Sequence, residues 1–323
     1  MGLFGKKKTP EKLLAEAQKR ETAETGQTQP KEQMEQIFNE GVTAYKGKDY
    51  ARALSLFEKA AQQGNAAAQC NCGLMYYRGE GTAADKEKAL CWFEKSAGQG
   101  FAEAQYHCGL MYAKGEGAAE DREKALLWYE KAAEQGHAEA QFQCGLRYFW
   151  GVLVGGTEID TDKAFLWYER AARQGHAGAQ CRYGRMYDNG EGTETDNAKA
   201  LYWYEKAAAQ GEPTAQFNCG EMYFQGEGTA QDQAKALYWY EQAAQQGHAD
   251  AQHNCGVMYQ SGFGAPVDLE KALSWYEKAA GQGNTMSQVN CGSMYLAGQG
   301  TPVDKAKAFS WFETAARLGD VRA

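Results

Sequence analysis

The chain has 323 residues, a net charge of −8, 43% hydrophobic residues and 12% aromatics, which is enough for a large core and too aromatic for a disordered chain. The acidic balance, 42 Asp plus Glu against 34 Lys plus Arg, lacks the basic footprint of a nucleic-acid binder. No apolar run reaches membrane-span length, no export signal opens the chain, and nine cysteines is an odd count. The expectation is a cytoplasmic chain with no integral membrane segment and no disulfide framework.

Residues 1–33 read as a basic and polar segment: Lys6, Lys7 and Lys8 cluster, residues 10–20 suit a short helix, and ETAETGQTQP suits a linker. The Gly2 start lacks the Ser or Thr of an acylation motif, because Lys6 stands there. Phe4 with the lysines supports at most a weak membrane contact. Residues 34–65 follow as a first helix pair; Gly41, Tyr50, Ala53 and Phe57 stand in order without a G-x-G loop, so this segment resembles an ordinary tetratricopeptide unit.

From residue 66 the chain repeats. Trp92, Trp128, Trp167, Trp203, Trp239, Trp275 and Trp311 are spaced by 36 residues, except one gap of 39. Asp85, Gln69 and their counterparts keep the same register, giving units at 66–101, 102–137, 138–176, 177–212, 213–248, 249–284 and 285–320. In each unit Ala68, Cys72 and Met75–Tyr76 mark the buried face of a first helix. Gly79-Glu80-Gly81 breaks that helix, Asp85 sits at the N-cap of a second, and Gly100 ends it. Ala89, Trp92–Phe93 and Ala97 face inward on the second helix. Four repeat positions, those of Gly73, Gly79, Gly81 and Gly100, account for 27 of the 38 glycines, so the glycine content is repeat geometry. Neither helix can bury its face alone, so stacking must supply the core.

The ordered elements L/C-G-x-x-Y, G-x-G, D-x-x-K-A and W-Y-x-K-A-A resemble the Sel-one-like repeat family of tetratricopeptide-like solenoids. Cys72, Cys108, Cys144, Cys219, Cys255 and Cys291 stand where the family commonly has Leu, and Tyr183 takes that place in the 177–212 unit. The resemblance implies an all-α, right-handed solenoid superhelix of about eight antiparallel helix pairs. It also implies a non-catalytic scaffold or adaptor that presents a concave face, lined by the first helices, to a protein or peptide.

On that face, the residue two before the Gly73-type glycine reads Asn39, Asn71, His107, Gln143, Arg182, Asn218, Asn254 and Asn290. An amide donates and accepts at once, so the column suits either an extended peptide backbone or hydrogen bonds between repeats. The residue before it includes Tyr106, Phe142, Phe217 and His253, rings that either line the groove or pack between first helices; groove exposure is favoured for the middle units. Arg182 and Arg185 make a positive spot suited to a carboxylate. The 138–176 unit carries an apolar loop with Trp150, Val152 and Leu153, which either packs as a plug onto its own protein or is a further contact candidate.

Chemistry is harder to find. The cysteines fall one per repeat, a stacking step apart, which does not suit disulfides or zinc, and no metal or cofactor is expected. His137, His176 and His248 occupy the turn after Q-G and read as turn residues. A hydrolase or redox enzyme using His107, Cys70 or Arg182 is the alternative to a scaffold, without a convergent triad to support it. Self-association through the last repeat, followed by residues 321–323, is a third reading.

Overall fold

The computed structural model describes residues 31–151 and 159–317. The expected helix at 10–20, the lysine cluster, Val152, Leu153 and residues 321–323 lie outside the described residues. Sixteen helices follow one another among the described residues. The first pair is α1 (31–46) and α2 (Tyr50–Gln62). Next come α3 (Ala66–Arg78), α4 (Lys86–Gly98), α5 (Ala102–Lys114), α6 (Arg122–Glu134), α7 (Ala138–Trp150) and α8 (Thr161–Arg173). The series ends with α9 (Ala177–Asn189), α10 (Asn197–Ala208), α11 (Pro213–Gln225), α12 (Gln233–Gln245), α13 (Ala249–Ser261), α14 (Leu269–Gly281), α15 (Thr285–Ala297) and α16 (Lys305–Arg317). The all-α solenoid of paired helices expected from the periodicity forms. It falls into two compact units, dividing after Ala140. None of the described helices is long and apolar enough to cross a membrane.

Local chemistry explains each boundary. Asp85, Asp121, Asp160, Asp196, Asp232, Asp268 and Asp304 accept the backbone N–H three residues on, satisfying one orphan amide at each second-helix start. Gly81 takes φ +76, and a Cβ there would collide with the Tyr50 carbonyl at the start of α2. The loop glycine therefore lets one repeat's turn sit directly on the preceding repeat. Gly73 is helical, and a Cβ on it would lie 2.6 Å from the Phe93 ring. Its absent side chain is the slot into which the second-helix ring fits.

The same slot recurs as Gly109 with Tyr129, and in the second unit as Gly220 with Tyr240 and Gly256 with Tyr276. Phe93, Tyr129, Tyr240 and Tyr276 are buried with Ala89, Cys72, Met75 and their counterparts, so the ring and not the adjacent Trp is the deepest second-helix group. Trp92 is half-buried and lies under Lys95 at 4.3 Å from the ring centroid, a cation–π contact on the helix surface. Tyr183 replaces the small thiol of its neighbours yet is buried, because Phe165, Tyr187 and Trp203 close around it at centroid distances of 4.8 to 5.2 Å.

Polar staples fix the stacking. The buried Gln216 donates to the Ala208 carbonyl of the preceding repeat at 3.2 Å and accepts from Gln246 of its own repeat at 2.8 Å. Gln69, Gln105, Gln180 and Gln252 repeat both bonds. Tyr76, Tyr259 and Tyr295 add a hydroxyl bond back to Glu58, Glu241 and Glu277 at 2.6 to 2.7 Å. The bonds to the alanine carbonyls and to the glutamates join residues of successive repeats, so they set the step between them.

Candidate functional site

The polar column divides into members with partners and members without. Asn254 donates to Glu221 Oε1 at 2.7 Å and also reaches the Tyr240 hydroxyl, while Asn290 reaches the Tyr276 hydroxyl. Those two amides serve the packing of repeats. Asn71, Arg182 and Asn218 are half-buried and have no side-chain hydrogen bond among the described residues. Gln143 is half-buried as well. In the first unit Asn71 lines a cleft of about 250 Å3 between first helices, with Val42, Tyr45, Leu74 and Arg78.

The aromatic column is less open than expected. Tyr106, Phe142 and Phe217 are each half-buried, stacked on His137, His176 and His248 at centroid distances of 4.7, 4.5 and 4.7 Å. They also meet the slot tyrosines Tyr129, Tyr168 and Tyr240, at 5.9 to 6.0 Å. The histidines are N-caps: Nδ1 of His137, His176 and His248 accepts the N–H of Ala140, Ala179 and Ala251. A ring on one first helix thus holds in place the cap of the next first helix, which a helical pattern within one unit does not reveal. His253 departs furthest from a groove position. It is buried, with Nδ1 2.8 Å from Ser287 Oγ.

In the first unit His107 stacks on Phe93 at 4.8 Å and lies 3.3 Å from Glu103. Because His137 Nδ1 accepts a backbone N–H, its Nε2 carries the proton and donates to Glu103 at 3.1 Å. Hydrogen bonds from His107 and His137 hold the Glu103 carboxyl far below the usual carboxylate range. Sequence reasoning misses Glu103, because one of its partners lies on α5 beside it and the other caps α7.

Nucleophilic chemistry finds little material here. Cys70 is buried, and burial pushes its thiol up to about 12, so the thiolate needed for attack or redox exchange is scarce at neutral pH. Cys72 and Cys291 are likewise pushed up to about 12 by burial. All nine cysteines are free thiols, and Cys91 is exposed. Among the described residues no group of His, Cys, Asp and Glu is arranged to hold a metal ion.

The 177–212 repeat is different. Arg182 and Arg185, one helical turn apart on α9, are half-buried, and the Arg185 guanidinium lies 5.0 Å over the Phe149 ring. Trp150 is 39% exposed and sits edge-on to Phe149 at 5.3 Å. Of its loop companions, Val152 and Leu153 are outside the described residues.

The Sel1 repeat model matches eight times, at residues 37–65, 66–101, 102–137, 138–176, 177–212, 213–248, 249–284 and 285–320. Among solved structures the chain is similar to c5321, a protective antigen of uropathogenic Escherichia coli strains with an SLR fold, at 33% identity and a TM-score of 0.84. That match covers 91% of this chain and 64% of the E. coli chain, so this chain spans less than two thirds of that relative. A Sel1 repeat protein from Oxalobacter formigenes is similar at 36% identity and a TM-score of 0.68, covering 92% of this chain and 89% of its own. None of the curated proteins matches. Repeat models across most of the chain, together with these two Sel1-type structures, place this chain in the Sel1 repeat family.

Proposed function

We propose that this protein is a non-catalytic scaffold or adaptor that binds a segment of a partner protein along the face of its first helices. The Sel1 fold generally mediates protein–protein interaction, and a solenoid offers a long row of similar positions rather than one convergent site. The observation that carries the reading is that Asn71 in the first unit, and Arg182 and Asn218 in the second, are polar, half-buried and without side-chain hydrogen bonds among the described residues. Groups of this kind pair with an incoming backbone or side chain at little desolvation cost. The enzyme reading has weaker support, because Cys70 is a buried protonated thiol and His107 is engaged by Phe93 and Glu103.

Affinity capture on the immobilised full chain, read by mass spectrometry, tests it. Asn71→Ala with Asn218→Ala should lose the captured partner while the helical circular dichroism is unchanged. Tyr238→Ser, on the outward side of α12 where Tyr238 is 53% exposed, should keep the partner. Equal capture by the wild type and the double amide variant would overturn the proposal.

A further inference from the structure

Buried polar atoms without partners collect in one place. Of the five such side-chain atoms among the described residues, three are Tyr168 Oη, Arg185 Nε and Glu191 Oε2. The repeat register explains two of them. The slot tyrosines Tyr204, Tyr240 and Tyr276 give their hydroxyls to Asp188, Glu221 and Gln260 of their own first helices. At the matching positions Tyr168 meets Leu146 and Phe149, which accept nothing. In the first unit Tyr45 and Tyr77 give hydroxyls to the loop residues Glu80 and Glu116. Glu191 is the matching loop residue, and its counterpart ring is again Phe149. One phenylalanine thus leaves a donor and an acceptor unmet.

Tyr168 itself is 1% exposed, and Arg182, Arg185 and Glu191 all act electrostatically on its hydroxyl. By register Arg182 occupies the position from which Asn254 and Asn290 reach the Tyr240 and Tyr276 hydroxyls. Neither arginine forms an ion pair among the described residues. The nearby acids are Glu191 and, one turn along α9, Asp188, which already accepts from Tyr204 at 3.2 Å and whose carboxyl burial pushes up.

Resting on the scaffold reading, we propose that Arg182, Arg185 and the Tyr168 hydroxyl form a receptor for one carboxylate of the bound segment, an Asp or Glu side chain or a chain terminus. Two guanidinium forks and a buried O–H supply donors in excess of local acceptors, which is the requirement for bidentate carboxylate recognition. Glu191 Oε2 remains to accept a backbone N–H of the same segment. Asp188 and Glu191 set the charge: they oppose a dianionic phosphate and leave room for a monoanion.

Surface-bound pools of nonapeptides, randomised except for a central Glu, Gln or phosphoserine, test this with the full-length protein. Wild type should be retained by the Glu pool about tenfold more than by the Gln pool, as expected for hydrogen bonds to a charged group. Arg182→Gln should bring that ratio to one. Tyr168→Phe should lower it several-fold with a melting temperature unchanged or raised, since the hydroxyl it removes has no partner among the described residues. A ratio of one on wild type, a ratio untouched by both variants, or preference for phosphoserine over Glu would each overturn the proposal. If partner capture is lost in the double amide variant while the Glu preference is absent, the scaffold reading stands and the carboxylate receptor alone falls.

Discussion

Gly220→Ala should destabilise the second unit by about 1–3 kcal/mol, the usual range for forcing extra volume into a packed core. Helix propensity argues the other way, because Ala is favoured over Gly inside a helix by about 1 kcal/mol. Sterics win because the new Cβ would lie 2.5 Å from Cδ1 and Cε1 of Tyr240, a ring that is 2% exposed and has no room to withdraw. The contrast is Gly281→Ala at the end of α14, where nothing among the described residues outside its own helix turn lies within 4 Å of the added carbon, and where the same substitution should be neutral or stabilising. Combining Gly220→Ala with Tyr240→Leu should recover part of the loss, as contacting sites in a double-mutant cycle do. Urea titration followed by circular dichroism reads these three variants, and Tyr240→Leu alone to close the cycle, against the wild type. A stabilised Gly220→Ala would contradict the slot.

Gln216→Leu should cost about 1–3 kcal/mol, the penalty for leaving buried polar groups unmet. The side chain is 5% exposed and holds two bonds at once, to the Ala208 carbonyl of the preceding repeat and from the Gln246 amide. Leucine fills similar volume, so the loss reports the amide and not a cavity. Because the bond to Ala208 crosses from one repeat to the next, the unfolding transition should also broaden as neighbouring repeats uncouple. Thermal unfolding by calorimetry checks this, and an unchanged, equally sharp transition would show that the staple contributes nothing.

Much of the architecture can be read from the residues. Trp, Asp and Gln recurring in one register give the helix pairs, and the N-cap role of Asp85 and the breaking role of Gly79 and Gly81 follow from local chemistry that the structure reproduces. The Gly73 column belongs to the buried face by its spacing, but its partner, the second-helix ring, depends on how the two helices meet. The candidate site is less legible. Phe142 and Phe217 stack on His176 and His248, each at the cap of the following first helix, and no periodicity within a unit links them. Tyr168 reads as core by its spacing, and it is core; what makes it interesting is the hydroxyl that Leu146 and Phe149 leave unmet. That signal is present in the sequence, as a Phe in a column that has Tyr45 and Tyr77 above a loop Glu, but it gains meaning only once the hydroxyl partners are known.

A partner bound along the first helices, as proposed, should be within cross-linking reach of them and not of the second helices. A diazirine amino acid placed at Asn218 on α11, or separately at Tyr238 on α12, tests it within a single repeat. After capture of the partner and illumination, a covalent adduct should form from position 218 and none from 238. An adduct from 238 alone would put the partner on the second-helix face and overturn binding along the first helices.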